Sequence, residues 1–153
     1  MKTLHVGIRV TDLERSLAFY AGVGYEVIGK VPETEFGSLT MLKLPGDEFV
    51  TVELVHDPRT GMVDPGGLNH MVIQVESMQA TVARLAVGGI EVETPTSPDG
   101  SENFWTAWIT DPDNYRIELV QWPAGHPIGM SEADFGDQAG RGDPSGDATM
   151  RGR

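Results

Sequence analysis

Apolar and polar residues alternate over residues 4–10, with Leu4, Val6, Ile8 and Val10 on one side and His5, Gly7 and Arg9 on the other. A period of two marks a strand with one buried face. The period then lengthens. Leu13, Leu17, Tyr20 and Ala21 recur at helical spacing behind a Thr11 or Asp12 cap, and Gly22 and Gly24 stop the helix. Strand patterns return at 25–31, 38–44 and 49–55, the last two joined by a Pro45-Gly46-Asp47 turn. Residues 3–57 therefore read as a βαβββ module.

After a breaker-rich linker at 57–67, the same order of signals begins again. A strand from Asn69 to Val75 leads to a helix capped by Ser77 and carrying Met78, Val82, Leu85 and Ala86, which Gly88 and Gly89 end. Strands are expected near 90–94, 104–110 and 115–121, the last two joined by Asp111-Pro112-Asp113-Asn114. A shift of 65 residues superposes His5 on His70, Ile8 on Ile73, Val10 on Val75, Gly24 on Gly89 and Val27 on Val92. The same shift places Glu53-Leu54-Val55 on Glu118-Leu119-Val120, so residues 68–122 read as a second copy of the module. The expected fold is α+β, two tandem βαβββ modules within one domain at 1–123.

Composition narrows the chemistry. The 153 residues are 39% hydrophobic and 22% charged, which excludes collagen-like and fully disordered classes. With no cysteine, metal chemistry is confined to oxygen and nitrogen ligands. A net charge of −12 disfavours nucleic acid and anionic membranes as partners. No apolar run approaches the ~20 residues that cross a bilayer, and no signal-peptide cleavage region follows the start, so the expected location is the cytoplasm. Residues 124–153 form a glycine-rich acidic tail holding seven of the nineteen glycines. Within it, 131–135 reads as a helical turn docking through Met130 and Phe135, the alternative being a mobile tail over about the last 15 residues.

The repeat makes one set of residues conspicuous. His5 and Glu53 are 48 residues apart, and so are His70 and Glu118. Any one of them alone would read as an ordinary strand histidine or solvated glutamate. Recurring at equal spacing on the first and last strands of both modules, they face away from the aliphatic residues that the helices cover. Two carboxylates sharing a concave face repel, and a divalent cation offsets that repulsion directly. Two imidazoles and two carboxylates suit Zn, Ni, Co, Mn or Fe.

The segments HVGIRVTDLERSLAFY, LNHMVIQVE and DPDNYRIELV resemble the vicinal oxygen chelate superfamily, and within it the glyoxalase I (lactoylglutathione lyase) branch. The resemblance covers about residues 3–122. It implies a curved mixed β-sheet around one divalent ion, held by His5, Glu53, His70 and Glu118; a homodimer is expected, with the site completed either within one chain or across the pair. Histidine in the first ligand position is similar to the nickel- or cobalt-activated bacterial enzymes. The implied reaction isomerises a hemithioacetal through an enediolate, a developing charge that a metal stabilises. Glu118 is then the leading base and Glu53 its partner on the opposite side. Arg9 matches an arginine that contacts the carboxylate of the thiol cosubstrate, the alternative being an ion pair with a local glutamate, and no wider basic cluster accompanies it.

Phe104, Thr106 and Trp108 alternate toward one face and Trp105 toward the other; Phe104 and Trp108 are the candidates for a substrate pocket, with core packing the alternative. The polar loop 95–103 reads as a lid or a turn. The expected partner is a small molecule such as a thiol adduct. Competing readings are a metal-free, bleomycin-resistance-like binding module, an epimerase of the same superfamily, and a ring-cleaving dioxygenase. A CoA-type epimerase substrate fits poorly with 11 Lys plus Arg, and the second carboxylate departs from a two-His, one-carboxylate oxygenase site.

Overall fold

The two amphipathic stretches form α1 (Leu13–Val23) and α2 (Met78–Val87) in the computed structural model, which describes residues 1–135. Each helix is capped by the residue its sequence offers: the Asp12 carboxylate accepts from the Arg15 N–H and the Ser77 hydroxyl accepts from the Ala80 N–H. Around α1 stand β1 (Val6–Arg9), β2 (Glu26–Thr34), β3 (Gly37–Lys43) and β4 (Val52–His56). Around α2 stand β5 (Met71–Gln74), β6 (Trp105–Thr110) and β7 (Arg116–Gln121). The expected α+β class and tandem modules are observed.

In both modules the first strand lies parallel to the last, β1 on β4 and β5 on β7, while the remaining pairs are antiparallel. The strands make two mixed sheets, β1-β4-β3-β2 and β5-β7-β6, where the resemblance implied one curved sheet. The second sheet is a strand short because 90–94 forms no ladder. That segment meets β6 only where the Glu93 N–H donates to the Trp108 carbonyl and Thr96 bridges Thr106. Pro95, between these contacts, has no N–H to donate. The first strands are also shorter than their alternation, so His5 and His70 each sit one residue ahead of a strand.

One core cluster joins the modules: Ile8, Tyr20 and Leu54 from the first pack with Ile73, Leu85, Ile109, Ile117 and Leu119 from the second. Polar ties cross the same boundary. The buried Asp111 carboxylate accepts from the N–H groups of Asp113 and Tyr115 at 2.9 and 2.8 Å, and from the Tyr20 hydroxyl at 3.1 Å. Burial raises the pKa of the Asp111 carboxyl. Burial, together with that carboxylate, also lifts the Tyr20 phenol far above its ordinary range. Asp113 accepts from the Thr11 N–H at 3.0 Å, and Arg84 of α2 donates to the Gly22 and Val23 carbonyls at 3.0 Å each, satisfying the open end of α1.

Tyr20→Phe keeps the ring and deletes one donor to a buried carboxylate. Its expected cost is about 1–3 kcal/mol of global stability, read as a lower urea midpoint in a single transition. An unchanged midpoint would mean that this tie does not help hold the modules together.

Candidate functional site

Parallel pairing brings each histidine beside the glutamate of its own module. Glu53 lies opposite Gly7 in the β1–β4 register, and Glu118 opposite Val72 in the β5–β7 register. His5 Nε2 is 3.8 Å from Glu53 Oε2, and His70 Nε2 is 3.5 Å from Glu118 Oε2. These gaps exceed an N–H···O hydrogen bond. They approach the separation of two ligands on one ion, about 3.0 Å at a right angle and about 3.4 Å at the tetrahedral angle for metal bonds of about 2.1 Å.

Local construction supports the same use. A Cβ at Gly7 would lie 3.3 Å from Glu53 Oε1, so the bare backbone leaves that carboxylate its place. His70 Nδ1 is 2.6 Å from Asn69 Oδ1, an arrangement that fixes the ring and leaves Nε2 available. Each pair therefore suits a borderline divalent ion as half of its ligand set. Among the described residues, however, no group of three or more His, Asp or Glu side chains converges. The structure brings together His5 with Glu53, and His70 with Glu118, but not the two pairs with each other.

The other expected residues fall on these same faces. Arg9 is exposed on the strand that His5 precedes and makes no side-chain hydrogen bond or ion pair among the described residues; Asp57, whose carboxyl feels its charge, is held by Arg59 at 2.8 and 2.9 Å. Trp108 stands opposite Glu118 in the β6–β7 register, with its ring 5.2 Å from the His70 ring. Phe104 stacks on Trp122 at 5.0 Å. A groove of about 620 Å³, lined by Met78, Val82, Pro95 and Trp105 among others, opens on the helix side of the second sheet, away from both pairs.

Sequence reasoning missed a second aromatic assembly. The His126 ring stacks on Trp122 at 4.4 Å, its Nε2 lies 2.8 Å from Asp134 Oδ1, and its Nδ1 lies 2.7 Å from the Pro127 carbonyl oxygen. The Gly129 N–H reaches Gln74 Oε1 at 3.4 Å. The turn expected at 131–135 is present as a 3-10 helix, Glu132–Phe135, but Met130 and Phe135 stay 66% and 55% exposed. His126, not those two, docks the segment. The remaining tail lies outside the described residues.

The family model described as Glyoxalase/Bleomycin resistance protein/Dioxygenase superfamily matches residues 2–119. A probable lactoylglutathione lyase of Synechocystis sp. is 33% identical over 125 residues, 79% of this chain and 95% of the relative. The lactoylglutathione lyase of Salmonella typhimurium is 29% identical over the same share of this chain and 93% of its own. Among solved structures, the trypanothione-dependent glyoxalase I of Leishmania major superposes with a TM-score of 0.68 at 27% identity, over 91% of this chain and 98% of that one. An antibiotic binding protein from Streptomyces sp. shares the fold, with a TM-score of 0.61 at 23% identity over 81% of this chain and 98% of that one. No helix among the described residues is long and apolar enough to cross a membrane.

The His126 contacts carry a pH dependence. The Pro127 carbonyl first, and then Asp134, raise its pKa above the ordinary 6.5. Protonation therefore favours the docked segment: the stabilisation is complete below pH 6.5 and is lost as pH rises through the higher, docked value. Tryptophan fluorescence should titrate with a midpoint above 6.5 as Trp122 loses its stacking partner. In His126→Gln that step should vanish; if it persists, another group is responsible.

Proposed function

The chain belongs to the Glyoxalase/Bleomycin resistance protein/Dioxygenase superfamily, and on that premise we propose that it is a divalent-metal-dependent lyase or isomerase of the glyoxalase I type. Its substrate is a small hemithioacetal or a related carbonyl compound, rearranged through an enediolate. The observation that carries this reading is the doubled imidazole–carboxylate pair, with N···O gaps of 3.8 and 3.5 Å on the open faces of two equivalent sheets.

Because the pairs do not meet within one chain, a homodimer is the assembly that supports the reading. Under two-fold symmetry the His5–Glu53 half of one copy faces the His70–Glu118 half of the other, and every ligand position is used. Nickel or cobalt is favoured over zinc, manganese and iron, and a bound ion would supply Lewis-acid polarisation of the substrate oxygens. Glu118 takes the proton from one substrate carbon and returns it to the next, with Glu53 acting from the opposite side. Both carboxylates are largely shielded, at 21% and 16% exposure, which limits exchange of that proton with bulk water. Arg9 holds a carboxylate of the thiol portion, and Phe104 and Trp108 supply apolar wall.

A binding module without catalysis is the second reading, and the apolar-lined groove beside α2 favours it. Purification without added metal, followed by assays of several thiol hemithioacetals with Ni, Co, Zn and Mn, separates the two. The expected result is turnover that a chelator abolishes, with Glu53→Gln and Glu118→Gln each lowering kcat by about 100-fold or more. Tight ligand binding with no metal and no turnover would establish the binding module instead.

A further inference from the structure

The two halves of the proposed ion site are built unequally. Beside His70 and Glu118, the Arg116 guanidinium carbon lies 4.2 Å from the centre of the Trp108 ring, and Arg116 Nη2 is 2.9 Å from Glu93 Oε1. Trp108 in turn meets the His70 ring nearly perpendicularly, at 79°, while Asn69 holds the opposite side of that imidazole at its Nδ1. A chain of contacts thus runs from Glu93 through Arg116 and Trp108 to His70. Each link restricts rotation of the next, and a ring flanked by an aromatic edge and a guanidinium plane has few alternative rotamers. Glu93 neutralises the guanidinium, so Arg116 can pin the indole without adding net positive charge near a bound cation.

The first module lacks this apparatus. Met41 stands opposite Glu53 where Trp108 stands opposite Glu118. Leu4, Ile28 and Thr51 occupy the positions 65 residues before Asn69, Glu93 and Arg116. The His5 and Glu53 gap is the wider of the two, and no ring contact to His5 occurs among the described residues.

We propose that His70–Glu118 is the pre-organised anchor for a divalent cation and that Arg116 is a positioning residue for it, acting through Trp108. The inference rests on the ion site proposed above. It implies an order of assembly, in which the second-module pair captures the ion and the His5–Glu53 pair completes its shell.

The test is metal affinity of the full-length protein, measured with Co(II) by its ligand-field absorption and by competition with a chelating dye, and needs no turnover. Removing an outer support of a ligating histidine costs about 10–100-fold in affinity in comparable sites, so Arg116→Met should weaken Co(II) binding by about 10-fold. Arg116→Lys should recover only part, because an ammonium lacks the flat face. Met41→Leu, at the matching place in the first module, should bind as the wild type does. His5→Ala should retain weak binding that His70→Ala loses. Circular dichroism and the urea midpoint confirm that each variant is folded, and Glu93→Gln gives a second entry to the same contact chain should Arg116→Met fail to fold. Wild-type affinity in folded Arg116→Met, or in folded Glu93→Gln if that is the variant read, or equal losses in His5→Ala and His70→Ala, would overturn the inference while leaving the ion site standing. Wild-type protein that binds none of Co, Ni, Zn or Mn would overturn both.

Discussion

Parallel pairing between the first and last strand of each module is the constraint on which the site depends. In an antiparallel pair the residue ahead of one strand sits near the far end of its neighbour. In a parallel pair it advances alongside. Here the parallel register sets Glu53 against Gly7 and Glu118 against Val72, so a histidine two residues earlier on the same face reaches each carboxylate. The helices make that pairing affordable: α1 and α2 are the crossovers that carry the chain between strands, and their apolar stripes cover the opposite face of each sheet.

Much of this was legible because duplication states the same physical instruction twice. The caps at Asp12 and Ser77 and the Asp111-to-Asn114 turn each rest on local chemistry, and each appears in the structure, whereas of the alternation at residues 4–10 only Val6–Arg9 is strand and Leu4 and Val6 stay exposed. Asn114 even adopts the left-handed backbone, φ 70°, that its side chain tolerates. The segment 90–94 has an adequate strand pattern, but Pro95 beside it has no N–H to donate, and its contact with β6 stops at the Glu93 bond and the Thr96 bridge. The 65-residue shift holds at the module ends and slips in the middle, where Met41 and Trp108 are equivalent at a separation of 67. That slip hides the Arg116 and Trp108 arrangement from any ungapped comparison.

His126 was invisible for a different reason. A lone histidine in a glycine-rich stretch has no periodicity to betray it, and its placement comes from stacking on Trp122, which already rests on Phe104. Met130 and Phe135 look like better anchors by hydrophobicity alone, yet they stay in solvent. A flat ring with two ring nitrogens gains a stacking surface, the Pro127 carbonyl and the Asp134 carboxylate together, whereas neither a phenyl ring nor a thioether has an N–H to donate.

The bond between the Tyr20 hydroxyl and Asp111 spans 91 positions along the chain. Tyr20 is fully buried, in a cluster to which the second module contributes about half the wall. During synthesis the first helix is therefore made well before the residues that cover it exist, and its aromatic face stays wet until the chain has grown past residue 111. Two look-alike halves suggest a protein that matures one half at a time. This one is bound to wait, because the Tyr20 hydroxyl meets its buried partner only once the second module is present.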